Sequence, residues 1–182
     1  MKTISVKDVM VPVSDYATVS QEATLYDAVL ALEKAQEKFD QNRYRHRAIL
    51  VYDENGKITG KISQIAILRA LEPKYEHFEI PRSRLLFAPK FMNSLFDQYD
   101  LWNKPLDHIC KKAGQTRVKE FVESFGEGEI VEEETSLNEA IHMLVVGQLQ
   151  SLLVMRKGEA TGLLRLTDVF HEVLKMVKAC EL

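Results

Sequence analysis

The chain is poor in cysteine, in long apolar runs and in surplus positive charge, and each shortage excludes a class of protein. Only two cysteines, Cys110 and Cys180, occur in 182 residues. Two thiols do not make the framework of a small disulfide-stapled fold, and a reduced compartment is the expected setting. No stretch approaches the roughly 18 uncharged apolar residues of a membrane-spanning helix. The opening MKTISVKDVMVPV is interrupted by Asp8 before any apolar core of signal-peptide length. A cytoplasmic protein without a membrane partner is therefore expected. Acids (27) outnumber Lys and Arg (24), leaving a formal charge of −3. A duplex binder shows a basic domain or stripe, so no nucleic-acid partner is expected. Close Cys/His pairs are as scarce. His108 and Cys110 stand alone, which is not a zinc pattern, and no orienting acid or glycine loop makes them a nucleophile and base. No catalytic residue, no metal site and no enzyme are expected.

What the chain does have is internal repetition. Val6–Met10 aligns with Val118–Val122 at an offset of 112 residues, and the alignment holds without a gap past Ala28 and Ala140. Val6/Val118, Lys7/Lys119, Val19/Val131, Glu22/Glu134, Leu25/Leu137, Ala28/Ala140 and Leu32/Leu144 are identical pairs. In each half a short extended segment (Ala17–Val19, Glu129–Val131) leads to a helix start. Ser136 and Glu139 read as a capping box, with Thr24 and Asp27 in the same places. Apolar residues then recur at helical spacing: Leu25, Ala28, Val29, Leu32 and Ala35, against Leu137, Ala140, Ile141, Leu144 and Val145.

A strand–turn–strand pattern follows in both halves. Ala48–Tyr52 runs through Asp53-Glu54-Asn55-Gly56 into Lys57–Ile62, and Leu152–Met155 through Arg156-Lys157-Gly158 into Glu159–Leu164. The turn glycines supply positive φ for tight hairpins. A second glycine recurs four residues on, as Gly60 and Gly162, and the offset has dropped to 102. The first half thus carries about ten extra residues, within Lys34–Arg47. An apolar helix closes each half, over Ile65–Leu71 and Val169–Val177. Between the halves, 72–117 is too rich in Phe, Leu and Trp for a passive linker. Its Phe87, Phe91, Met92, Leu95, Phe96, Tyr99, Leu101 and Trp102 are expected to form a helical apolar face covering the rest of the protein or a dimer partner.

The order strand, helix, strand, strand, helix, twice over, with Val6–Met10, Thr18–Ser20, Asp53–Ser63, Val118–Val122 and Gly162–Asp168, resembles the CBS (cystathionine-β-synthase) domain family. The resemblance implies an α+β fold: two tandem β-α-β-β-α repeats packed as a pseudo-twofold disc, with a helical insert between them. The boundaries would be 1–73, 74–116 and 117–182. It also implies a regulatory, ligand-sensing module of the Bateman type. An adenosine-containing ligand such as AMP, ADP, ATP or S-adenosylmethionine would bind in a cleft between the repeats. A homodimer and an effector protein are the implied partners, and no cofactor is required. The competing reading is a structural or interaction protein that binds no ligand and uses the aromatic insert as its partner surface.

The family signature Gly-x-x-[Ser/Thr]-x-x-Asp offers a phosphate a helix N-terminus and a hydroxyl, and offers ribose hydroxyls a carboxylate. Each copy here keeps half of it. Gly60 to Ala66 retains the hydroxyl, Ser63, but has Ala66 in place of the acid. Gly162 to Asp168 retains the acid but has Arg165 in place of the hydroxyl. The resemblance therefore points to the second half, with Asp168 as ribose acceptor, Arg165 as phosphate contact and Thr167 beside them. Asp168 is equally a first-turn acid at a helix N-terminus, Ser63 a plain N-cap, and Arg165 a solvated end-of-strand residue. In Arg43-Tyr44-Arg45-His46-Arg47, the residues Arg45, His46 and Arg47 read either as a phosphate grip or as an exposed basic turn. The acidic run Glu127, Glu129, Glu132, Glu133 and Glu134 would repel phosphate if it faced the cleft, and matters little if it faces water.

Overall fold

The computed structural model describes residues 4–71, 93–94, 97–98 and 108–179. The aromatic face expected over Phe87–Trp102 lies outside the described residues. The first half contains β1 (Val11–Pro12), β2 (Thr18–Ser20), α1 (Leu25–Lys38), β3 (Ala48–Tyr52), β4 (Ile58–Ser63) and α2 (Gln64–Ala70). Helix α3 (Ile109–Gln115) packs on α1. The second half repeats the order as β5 (Glu123–Ser124), β6 (Ile130–Glu132), α4 (Leu137–Gly147), β7 (Ser151–Arg156), β8 (Glu159–Arg165) and α5 (Leu166–Lys178). The α+β repeat read from the sequence is thus observed, with element ends moved by one to three residues.

Two four-stranded sheets result, ordered β2-β3-β4-β5 and β1-β8-β7-β6. In each, the first long strand runs parallel to the short strand before the helix and antiparallel to its hairpin partner. The fourth strand of each sheet comes from the other half of the sequence: β5 pairs with β4, and β1 with β8. A 3-10 turn precedes each exchanged strand, at Val6–Asp8 and Val118–Glu120. Val6 and Val9 pack into the core of the second half, around Leu137, Leu152 and Leu164. Val118 packs into that of the first, around Ala28, Ile49 and Ile62. A third cluster, including Val11, Tyr16, Phe39, Leu50, Leu153 and Leu163, fills the space between the halves.

The exchange is reciprocal bond by bond. Val6 N–H donates to Thr135 O and Val118 N–H to Ala23 O, both at 2.9 Å. Leu137 N–H donates to Ile4 O and Leu25 N–H to Thr116 O, again both at 2.9 Å. Lys7 pairs with Glu134 at 2.6 Å and Lys119 with Glu22 at 2.8 Å. Identical residues of the repeat, Val6/Val118, Lys7/Lys119 and Glu22/Glu134, are therefore the parts that lock one half to the other. The ion pairs are exposed and contribute little. Fully buried Val6 and Val118 contribute about 1.5–3 kcal/mol each, and carry the lock.

Local chemistry explains the ends of the elements. Thr24 and Asp27 form the complete capping box of α1, with Asp27 N–H donating to Thr24 Oγ1 and Thr24 N–H to Asp27 Oδ2. At α4 only half of the expected box is made. Ser136 Oγ accepts from Glu139 N–H at 3.2 Å, while the Glu139 side chain, in water, does not return the bond. Gly56 (φ 77°) and Gly158 (φ 85°) take the positive-φ turn positions. The other glycine pair has a different cause. A Cβ on Gly60 would lie 2.6 Å from Glu123 O, and one on Gly162 would lie 2.7 Å from Val11 O. Each glycine clears the path of the exchanged strand. Gly60→Ala and Gly162→Ala are each expected to lower the urea unfolding free energy by about 1–3 kcal/mol. Gly114→Ala, in open space on α3, is the control that shows no loss.

Candidate functional site

In the stretch before β3 burial alternates along the chain: Arg45 exposed, His46 buried, Arg47 exposed. One basic run is thereby split between two environments. Arg45 and Arg47 line a cavity of about 560 Å³ between the halves, together with Ser63, Thr167, Lys61, Glu129, and part of Arg165. Tyr16, Ala48, Ile65, Leu149 and Leu163 make its apolar wall. The volume lies in the roughly 300–1,000 Å³ range of small-molecule sites. Neither the Arg45 nor the Arg47 guanidinium is hydrogen-bonded or ion-paired among the described residues. Lys61, by contrast, is paired with Glu129 and sits over the Phe125 ring at 5.1 Å. The cavity therefore presents two uncommitted guanidiniums, one self-neutralised pair, a further acidic residue, Glu123, and an apolar wall.

Behind this cavity lies a buried polar cluster. Arg165, the N-cap residue of α5, and Asp168, in the first turn, are 4% and 6% exposed. The guanidinium grips the carboxylate with both nitrogens of its fork, Nε to Oδ2 and Nη2 to Oδ1, the latter at 2.7 Å. Its remaining nitrogen, Nη1, donates to Tyr44 O at 2.8 Å and to His46 Nδ1 at 3.3 Å. Arg43 adds a second cation to Asp168, 3.1 Å from Oδ1, and donates to Val9 O. The Phe39 ring lies beneath both arginines, 5.3 Å from the Arg165 guanidinium carbon and 5.5 Å from that of Arg43. Breaking a buried pair by removing one partner costs about 3–5 kcal/mol, because the other charge is left uncompensated.

His46 is wedged between Tyr16 and Phe39, with ring centroids 4.3 Å and 4.2 Å away. Burial first, and the adjacent Arg165 second, lower its pKa from 6.5 to about 4. Neutral His46 has one tautomer that satisfies both neighbours. Nε2–H donates to the carbonyl of Asp15 at 3.1 Å, leaving Nδ1 to accept from Arg165. Burial likewise pushes the Tyr16 phenol up to about 12, against a smaller opposing pull from Arg165.

The residues read from the sequence are thus divided. Arg45, Arg47, Ser63, Thr167 and Arg165 line the cavity. His46 does not; it is a core residue. Asp168 does not line it either, and borders a separate cavity of about 330 Å³ beside Arg43, Tyr44 and His171. Ser63 Oγ caps α2, accepting from Ala66 N–H at 3.1 Å. Of the acidic run, Glu129 alone lines the cavity. Burial raises the Glu129 pKa, but the bonds from Lys61 and Gly126 N–H outweigh it and the net shift is downward. Glu134 is tied to Lys7, Glu133 lies 3.6 Å from Arg156, and Glu127 and Glu132 are exposed. His108 and Cys110 are exposed, and among the described residues no cluster of metal-ligating side chains occurs. Sequence reasoning missed Phe39, Arg43 and Tyr16. The signal for Phe39 and Arg43 was the surplus of residues in 34–47, aromatic and basic where the other half needs only a short turn; Tyr16 carried none.

Comparison with known proteins places this architecture. The sequence model of the CBS domain matches residues 6–73. No curated protein matches the chain by sequence. Among solved structures, the CBS-pair protein CBSX2 from Arabidopsis thaliana superposes with a TM-score of 0.62 at 18% identity, covering 98% of this chain and 100% of that one. A CBSX2 structure in complex with AMP gives a TM-score of 0.59 at 20% identity, covering 94% and 97%. A putative acetoin utilization protein, AcuB, from Vibrio cholerae gives 0.58 at 18%, covering 97% and 95%. At these identities the likeness is one of fold, and the described residues have the CBS-pair fold. Among the described residues no helix is long and apolar enough to cross a membrane.

Because the folded chain holds His46 neutral where the unfolded chain would protonate it, its contribution to stability is complete above pH 6.5. That contribution is lost as pH falls towards about 4. In an NMR titration the His46 ring resonances should stay at their neutral positions down to about pH 5.

Proposed function

We propose that the cavity between the two halves binds an adenosine-containing phosphorylated ligand, and that the protein is a regulatory sensor rather than an enzyme. The observation that carries this reading is the pair Arg45 and Arg47, two arginines without a partner among the described residues, lining a largely apolar cavity. A guanidinium fork suits phosphate oxygens, and the wall of Tyr16, Leu149, Leu163 and Ile65 suits a base. Ser63 and Thr167, at the starts of α2 and α5, add hydroxyls beside helix N-termini. The AMP held by a protein of the same fold supports the ligand class. AMP, ADP, ATP and S-adenosylmethionine are the candidates. A ligand seated there touches both halves, so it can shift their relative arrangement by preferring one state, and an effector protein would read the change.

A second copy of the chain is the proposed partner. Val145 and Val146 of α4 are 67% and 83% exposed, and Phe170 and Val177 of α5 are 55% and 56% exposed. These two helices pack side by side, and water-facing apolar groups on neighbouring helices favour a homodimer. The reading in which the protein binds no ligand and serves only as an interaction surface predicts flat calorimetric titrations with all four candidates.

For the ligand reading, Arg45→Ala combined with Arg47→Ala should raise the Kd for AMP or ATP about tenfold or more, with the melting temperature unchanged. Unaltered affinity would remove the assignment. For the dimer, light scattering after gel filtration should report twice the 20.9 kDa chain mass, and Val146→Glu should return it to the monomer.

A further inference from the structure

The first half is longer than the second at one place. Residues 39–47 connect α1 to β3, whereas 148–150 suffice between α4 and β7. A repeat that closes with three residues in one copy has no need of nine in the other. The extra stretch is braced rather than slack. Gln36 Nε2 donates to His46 O at 3.0 Å, Gln41 Nε2 to Phe39 O at 2.8 Å, and Asp40 Oδ1 accepts from Asn42 N–H at 2.8 Å. Its contacts converge on the signature of the other half. Phe39 supports Arg165, Tyr44 O and His46 Nδ1 receive Arg165 Nη1, and Arg43 meets Asp168.

We propose that residues 39–46 are a built-in plug that occupies the signature of the second half, leaving each chain one working ligand cleft. The charges and bonds are complete without a ligand. Asp168 has both oxygens engaged by Arg165, with Arg43 as a second cation, and every buried side-chain nitrogen and oxygen among the described residues has a partner. A ribose arriving at Asp168 would have to displace a two-pronged guanidinium in a site shielded from water, which a neutral hydroxyl pair does not do. In the first half the corresponding position is Ala66, buried and without a carboxylate. Recognition therefore falls to Arg45 and Arg47, on the same stretch of chain as the plug. The connection has divided its residues between them, with Phe39, Arg43, Tyr44 and His46 turned to the signature and the two arginines to the open cavity.

The stoichiometric part rests on the ligand reading above, and the test separates the two. Calorimetry of the full chain with AMP and with ATP is expected to give one site per chain. Asp168→Asn is expected to lower the melting temperature while changing the Kd by less than about threefold. Arg43→Ala removes the outer cation alone and serves as the second variant should Asp168→Asn not fold, with the same expectation. Two sites per chain would overturn the plug. So would a Kd raised about tenfold or more in a folded Asp168→Asn or Arg43→Ala protein. If neither nucleotide binds, the ligand reading fails and the plug is judged without it, on the Arg165 Nε–H signal of the wild-type chain. A sharp, slowly exchanging resonance supports the plug, and exchange as fast as in free arginine overturns it.

Discussion

The structure depends on a reciprocal exchange. Neither sheet is complete with its own strands, and the first N–H of each of α1 and α4 is bonded to the crossing segment. The segment before each repeat crosses over, buries a valine in the core of the other, and donates and accepts the backbone bonds at the other's helix start. Because the two crossings obey the same 112-residue offset, each stabilises the geometry that the other requires. Disrupting one is expected to loosen both halves, since a sheet without its fourth strand exposes unpaired edge groups as well as apolar surface. The glycines at 60 and 162 belong to the same device: a side chain there would collide with the arriving strand.

The exchange also creates the cavity. Bringing the halves together sets the ends of β4 and β8 on either side of one space, so that Ser63 and Thr167 share it. Pseudo-symmetry would make the two signature segments equivalent, and the connection before β3 breaks that equivalence. It places a neutral histidine, Arg43 and a phenyl ring against the Arg165–Asp168 pair, and leaves two further arginines at the cavity. The asymmetry is electrostatic as much as steric. Asp168 is buried among cations, whereas in the open cavity, once Lys61 and Glu129 have neutralised each other, two guanidiniums face one further acid, Glu123.

Much of the fold was legible in the chain. Helical spacing in Leu25–Ala35 and Leu137–Val145, the turn glycines Gly56 and Gly158, and the repeated element order are local signals, and each marks an element that forms. The capping signals were legible too, though Glu139 shows how a matching pattern can yield half a motif when a side chain prefers water. The site was less legible, and the reason lies in particular residues. Arg45, His46 and Arg47 are adjacent in sequence and read as one basic run, yet the folded chain buries His46 and leaves the two arginines at the cavity. Arg165 and Asp168, three apart at a helix start, read as two contacts for a ligand. At that spacing they also reach each other, and burial made that bond the one that forms.

By itself the sequence determined the repeat, its α+β elements and the absence of a basic stripe or a long apolar span, because periodicity, turn chemistry and charge count are properties of short stretches. The tertiary structure alone decided which half each opening segment belongs to and why Gly60 and Gly162 recur. It also decided which charges are spent on each other. Those outcomes depend on contacts between residues about a hundred positions apart, such as Arg165 with Tyr44 and His46. Desolvation at such contacts exists only once the halves have closed.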